Sequence, residues 1–281
     1  MTLPGDLSRV GFTAPQWREL EAVEIDINTP QSARIWNYWL GGKDHYAVDR
    51  EAGDAVIAHI PDIPEGARAE RAFLVRAVRQ LVETEGVRQF LDVGTGLPTA
   101  NNTHEVAQRL APESRIVYVD NDPTVLAHAR ALLTSTPEGA TDYIDADMRQ
   151  PAGIIDAAKR TLDFSRPIAL MMLGVVNHLM EDEEAYRVVR ELVDALPEGS
   201  FLVLTHSSAE VHGEPMLRVM RETTERGGTP IRARTAVEIE GLFAGTELLE
   251  PGVVSCSQWR PDTAGETPKP VYLFGGVGRV G

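Results

Sequence analysis

The sequence has a single cysteine, Cys256, among 281 residues. That excludes an internal disulfide framework and any multi-cysteine zinc site. Long apolar runs are also missing. The longest extends from Ile168 to Val176, far short of a bilayer span. The N-terminus lacks the basic-then-apolar pattern of a secretory leader, so the expected location is the cytoplasm, with no membrane partner. Positive charge is scarce: 27 basic residues face 42 acidic ones, a formal charge of −15. Such a field repels a phosphate backbone, and nucleic acid is not expected as a partner. The nearest thing to a basic patch, Arg68, Arg71, Arg76 and Arg79 interleaved with Glu70, reads as a solvated helix face. The histidines are scattered and form no metal-binding pair with a third ligand, so no metal is expected.

What is present is a change of texture along the chain. Before about residue 66 the patterns are helical. One helix lies in Ser32 to Gly42 and is stopped by Gly41-Gly42. A second spans Val48 to Ile60 and is ended by Pro61 and Pro64. A third runs from Ala67 to Glu85, with Phe73, Leu74, Ala77, Val78 and Leu81 on one face. From residue 87 short apolar runs alternate with helical stretches. The runs are 89–93, 116–120, 141–145, 168–173, 201–205, about 247–254 and 271–275. Helices are expected near 101–111, 123–134, 151–160, 182–195 and 210–226. This alternation implies an α/β fold with a doubly wound, mostly parallel sheet. The last two runs are joined by a Pro/Gly-rich link without a helix, which suits an antiparallel edge. The expected organisation is an N-terminal helical cap or lid, 1–66, on a doubly wound domain, 67–281.

Three strand ends carry polar groups suited to a nucleoside. Phe90 to Thr99 reads as a strand running into a glycine turn, with Asp92, Gly94, Thr95 and Gly96. The glycines admit close approach of a ligand to the backbone. Asp92, two residues before the first glycine, suits a cationic group such as an ammonium or sulfonium. A dinucleotide site would place a third glycine where Thr99 stands; a plain strand–helix turn is the remaining alternative. Asp120 ends the second strand, where an acid accepts hydrogen bonds from both ribose hydroxyls, with Asn121 beside it. Asp122 reads as an N-cap, followed by Pro123 in the first helical turn. After the third strand, Asp145 and Asp147 are both candidates to accept from an adenine amine, and Met148 can flank the ring.

These segments, in the order DVGTG (92–96), VDND (119–122) and DADMR (145–149), followed by a strand ending VVNHL (175–179), resemble S-adenosylmethionine-dependent methyltransferases of the Rossmann-like class. ARIWNYWLGGKDHYAVDREAGDAV (33–56), RAERAFLVRAVRQL (68–81) and DVGTGLPTANNTHEVAQ (92–108) extend the resemblance over nearly the whole chain. They are similar to a family abundant in actinobacteria, once catalogued as a domain of unknown function and now named S-adenosyl methyltransferase. The resemblance implies the fold and the cofactor, S-adenosyl-L-methionine, with S-adenosyl-L-homocysteine as product. It does not imply a substrate. One departure from the broad class is Pro98 at the position of the usual third glycine.

With the resemblance, a small-molecule hydroxyl or amine is the expected methyl acceptor. His178, at the end of the fourth strand, is the expected general base; imidazole titrates near neutrality. Asn177 and His206 are expected in the substrate pocket. Tyr38 and Tyr46 are also expected there, and Gly41, Gly42 and Lys43 are expected to line the cofactor pocket from the cap. Trp36 and Trp39 read as core. Two other readings stay open: a non-catalytic regulator that binds the cofactor, and a nicotinamide-dependent oxidoreductase.

Overall fold

The computed structural model describes residues 26–122, 124–125, 128–129, 134–262, 265 and 267–281. The buried apolar runs become strands β1 (Gln89–Val93), β2 (Arg115–Asp120), β3 (Ala140–Asp145), β4 (Ala169–Leu173) and β5 (Phe201–Ser207). Three more follow: β6 (Thr246–Leu248), β7 (Val254–Ser255) and β8 (Leu273–Val280). The order across the sheet is β3-β2-β1-β4-β5-β8-β6, with β7 also paired to β8. The first five strands are parallel. β8 runs antiparallel to β5, with Phe201 opposite Arg279 and Ser207 opposite Leu273. A parallel strand needs a long crossover, usually helical. No helix connects Ser255 to Leu273 among the described residues, so β8 returns antiparallel. The run expected over 247–254 is split into β6 and β7 by Glu250-Pro251-Gly252, and β8 is inserted between β5 and β6.

The helices are α1 (Ser32–Trp39), α2 (Ala47–His59), α3 (Ile63–Glu83), α4 (Thr103–Leu110), α5 (Pro151–Ala158), α6 (Asp182–Asp194), α7 (Glu214–Glu225) and α8 (Ala236–Gly241). A 3-10 turn covers Val176–His178. Neither α8 nor this turn is legible in the periodicity. The helix expected over 123–134 lies partly outside the described residues, as do Pro123 and the first 25 residues of the cap. α3 starts earlier than expected, because Pro64 sits in its first turn instead of ending α2. Proline is at home there, since the N–H it lacks has no helical partner at that position. The cap boundary at 66/67 therefore falls inside α3.

Successive strand residues face opposite sides of the sheet, and the core is correspondingly double. Phe90, Ile116, Met171 and Val203 pack under α3, α4 and α7 with Phe73, Leu74, Val106 and Val219. Leu91, Val117, Leu170 and Leu202 pack under α5 and α6 with Ile154, Val188 and Leu192. Among the described residues no helix is long and apolar enough to cross a membrane.

α1 and α2 are clipped together by a buried ion pair. Arg34 Nε lies 2.8 Å from Asp49 Oδ2, with both side chains almost fully buried. Asp49 also accepts from the backbone N–H groups of Gln31 and Tyr46. Arg34 in turn donates to the carbonyls of Asp26 and Thr29.

Candidate active site

β1 is flanked by β2 on one side and β4 on the other, and the chain leaves them in opposite directions. In an open α/β sheet this leaves a crevice at the carboxyl ends of the strands. A cavity of about 440 Å³ lies there, walled by the ends of β1, β2 and β4, the segment after β3, and α1.

The glycine turn forms its base. Gly94 and Gly96 have φ of +76° and +65°, a region that favours glycine. A Cβ on Gly94 would also meet Val175 at 2.2 Å, whereas one on Gly96 would meet nothing within 4 Å. Thr95 pins the turn by donating its hydroxyl to the Asp92 carbonyl at 3.1 Å. Asp120 accepts from Gly96 N–H at 3.0 Å and from Asp122 N–H at 2.9 Å. Burial raises its pKa, against the pull of these backbone donors. Each carboxylate oxygen keeps acceptor capacity beyond those bonds. Asp122 accepts from Thr124 N–H at 2.8 Å, the expected capping contact. Asn121, Asp147 and Met148 line the cavity. Asp147 is steadied by Arg149, whose backbone N–H it accepts at 2.9 Å. Asp145 is exposed and lies outside the cavity wall.

Asp92 is buried at the floor, accepting from Thr103 Oγ1 at 2.6 Å. Burial pushes its pKa up to about 6, opposed by the Thr103 bond and by Arg71. Glu70 and Arg71 of α3 also line the cavity, which corrects their reading as a solvated face. Glu70 is only 5% exposed. Burial raises its pKa to about 7, while a Thr205 hydroxyl bond and Arg71 oppose the shift. Arg76 is likewise engaged, donating to the Trp259 and Cys256 carbonyls. Only Arg68 and Arg79 of that group are exposed. A signal for Glu70 exists in the sequence: with Ala67, Leu74 and Ala77 it falls on the apolar stripe of α3.

His178 lines the cavity. Its Nδ1 is 3.0 Å from the Pro230 carbonyl. A carbonyl only accepts, so Nδ1 carries the proton and Nε2 keeps its lone pair. Burial, the largest cause, lowers the His178 pKa and keeps the ring neutral. His206 behaves differently. β5 continues to Ser207, two residues beyond the expected end, and holds His206 fully buried inside the sheet and away from the cavity. Its Nδ1 donates to the Ser207 carbonyl at 2.9 Å, and its Nε2 accepts from Arg234 at 2.7 Å. Burial pushes its pKa down to about 3. Asn177 also lies off the cavity wall. It braces the sheet, donating to the Gly174 carbonyl and accepting from Ser207 N–H.

The cap reaches the cavity through different residues from those expected. Gln31, Ser32, Ala33, Trp36, Asn37 and Leu40 form the wall; Gly41, Gly42, Lys43, Tyr38 and Tyr46 do not. Gly41, with φ of +79°, ends α1. Gly42 makes room for Asn37, whose Oδ1 would lie 2.3 Å from a Cβ there. Lys43 is exposed. Tyr38 donates to Asp54 at 2.6 Å, and Tyr46 lies under the Arg34 guanidinium, 5.1 Å from ring centroid to Cζ. Trp36 is both wall and core neighbour, and Trp39 is core neighbour only.

The cavity has the volume of a small-molecule site, an open backbone cradle at Gly96, an acid at the end of β2 and a buried, unpartnered guanidinium nitrogen, Arg71 Nε. These features fit a nucleoside that carries a charged tail. No group of three or more His, Cys, Asp or Glu side chains able to hold a metal ion is found among the described residues.

The family model described as S-adenosyl methyltransferase matches residues 18–281. The DUF574 family protein from Streptomyces avermitilis is 45% identical, over 92% of this chain and 100% of that one, with a TM-score of 0.87. A proposed methyltransferase from Thermobifida fusca is 41% identical, over 91% and 96%, with a TM-score of 0.83. The magnesium protoporphyrin IX methyltransferase from Synechocystis, with bound S-adenosylmethionine, shares the fold at 13% identity over 88% and 90%, with a TM-score of 0.50. A search of curated proteins finds no match.

Proposed function

Starting from a chain that belongs to the S-adenosyl methyltransferase family and is an S-adenosylmethionine-dependent methyltransferase, we propose that its methyl acceptor is a small molecule bearing a hydroxyl or an amine. The observation that carries the reading is His178: a neutral imidazole on the cavity wall, with Nδ1 committed to Pro230 and Nε2 free.

The cofactor supplies a methyl group already activated on a sulfonium sulfur, so the chain's share is positioning, exclusion of water and proton handling. Asp120 accepts from the ribose hydroxyls. Gly94, Thr95 and Gly96 let the backbone approach the nucleoside, with Asn121 alongside. Asp147 accepts from the adenine amine and Met148 packs on the ring. Asp92 faces the charged tail from the floor. His178 Nε2 takes the proton of an acceptor hydroxyl; an acceptor amine can lose its proton to water afterwards and needs no base. The described part of the N-terminal segment, residues 26–66, acts as a cap over the strand ends, supported by the wall that α1 contributes.

The test is transfer of tritiated methyl to a panel of small phenols, alcohols and amines by the full chain. With a hydroxyl acceptor, His178→Ala should keep its affinity for S-adenosylhomocysteine and lose about 10²–10⁴-fold in turnover. A loss that follows cofactor affinity, or no loss, assigns His178 to structure. Label found only on macromolecules overturns the small-molecule acceptor.

A further inference from the structure

Glu70 and Arg71 are neighbours in sequence, opposite in charge, and both on the cavity wall. Neither is satisfied by the protein around it. Glu70 Oε1 accepts from the Thr205 hydroxyl, which is itself fixed because Thr205 Oγ1 accepts from Gly174 N–H at 2.9 Å. Glu70 Oε2 makes no hydrogen bond to the described residues. Arg71 Nη2 donates to the carbonyls of Ala100 and Asn101, at 3.2 and 2.8 Å. Its Nε is buried without a partner, and its Nη1 makes no hydrogen bond to the described residues and is not enclosed as Nε is. No carboxylate of the described residues lies within ion-pair distance of Arg71, although Asp92 and then Glu70 are the charges it feels most after burial.

Buried charges ordinarily find partners inside the fold, because an unpaired one is costly. Two held apart on one wall, each anchored at one atom and free at another, are arranged to receive a group carrying both signs. An α-amino acid is such a group. Resting on the methyltransferase reading above, we propose that Glu70 and Arg71 form a receptor for the zwitterionic amino-acid end of the cofactor, Arg71 binding the carboxylate and Glu70 the ammonium. Glu70 thereby shares the cationic side of the tail with Asp92, and Arg71 is the group that answers its anionic side. The pair sets specificity: a nucleoside thioether without the amino-acid end leaves both charges unpaired in a buried wall.

The experiment is isothermal titration of the full chain with S-adenosylhomocysteine, with 5′-methylthioadenosine, which lacks the whole amino-acid end, and with the decarboxylated and deaminated forms of S-adenosylhomocysteine. The wild-type protein should bind each truncated ligand about tenfold or more weaker than S-adenosylhomocysteine. Glu70→Gln and Arg71→Met should each lose about tenfold or more for S-adenosylhomocysteine and keep their affinity for 5′-methylthioadenosine. Arg71→Met should no longer distinguish the decarboxylated ligand, and Glu70→Gln should distinguish the deaminated one less than wild type does, Asp92 supplying the remainder. Equal weakening of every ligand means a structural role and overturns the proposal. So does a wild-type protein indifferent to the truncations, a result that needs no variant to fold. A wild-type protein that binds none of the nucleosides would instead sink the cofactor reading beneath it.

Discussion

Consecutive residues of β5 serve two kinds of buried charge. Thr205 points to the α3 side and bonds Glu70; His206 points to the opposite side and bonds Arg234. Arg234 is 1% exposed and completely engaged: Nη1 on His206, Nε on Asp182 at 3.0 Å, Nη2 on the Leu179 carbonyl at 3.0 Å. Glu70 is buried as well and Arg71 half-buried, yet Glu70 Oε2 and Arg71 Nε find no partner among the described residues. Both clusters perturb titration, so perturbation alone does not mark a site. An unmet hydrogen bond on a charged side chain of the cavity wall does. One cluster ties the segment after α7 to the sheet; the other holds charge in readiness for a ligand.

The contrast can be broken most forcefully at Arg234. Arg234→Met should strand His206 Nε2 and the Leu179 carbonyl and lower unfolding stability by about 3–4 kcal/mol. The affinity of the folded fraction for S-adenosylhomocysteine should stay unchanged. Urea denaturation with a parallel titration checks both; a stability loss below about 1 kcal/mol would erase the distinction between the clusters.

On the cavity side the opposite sign is expected. The folded protein holds the Glu70 proton more tightly than the unfolded chain does, up to about 7 from 4.5. That contribution favours folding below the lower value and is lost as pH rises through the higher one. The groups facing Glu70 are Arg71 on its own helix, and Cys256 and Tyr272 from beside β7 and β8. Both of the latter are neutral across this window, their pKa values pushed up chiefly by burial. Glu70→Gln should therefore gain on the order of 3 kcal/mol over wild type at about pH 8, and nothing at about pH 4. Asp92 is present in both proteins and cancels. Parallel stability curves would show that the free protein already pairs this carboxylate.

A smaller test separates two acids at the end of β2, Asp120 in the strand and Asp122 just beyond it. Asp120→Ala should weaken S-adenosylhomocysteine by about 2–3 kcal/mol through lost bonds to ribose. Asp122→Ala should leave that affinity nearly intact and cost about 1 kcal/mol of stability through its cap. Calorimetry on the pair decides it; like losses in binding would reassign the ribose contact.

The strands were legible because buried parallel strands are short apolar runs, and Asp92 and Asp120 because an acid at or beside the end of such a run is conspicuous. Glu70 and Arg71 escaped notice for a physical reason. Glu70 falls on the apolar stripe of α3, but on a helix rich in arginine its charge reads as solvated; the exposure of Arg71, beside that stripe, depends on how α3 docks, which local pattern does not contain. The Gly41-Gly42-Lys43 stretch misled in the other direction. Its glycines resemble a binding loop, but they serve a helix end and the close approach of Asn37. His206 failed as a pocket residue because β5 runs two residues further than the apolar pattern suggests, and the segment carrying Arg234 closes over it.

The clip of Arg34 on Asp49 has a kinetic meaning. Because it joins the chain before α1, α1 itself and the start of α2, the cavity wall is assembled along with the fold and not when a ligand arrives. Association then becomes a search for an opening in a wall already ordered. Departure uses the same opening and needs no unfolding of the wall. The residence time of a bound nucleoside is then set by the contacts it makes with a wall already in place.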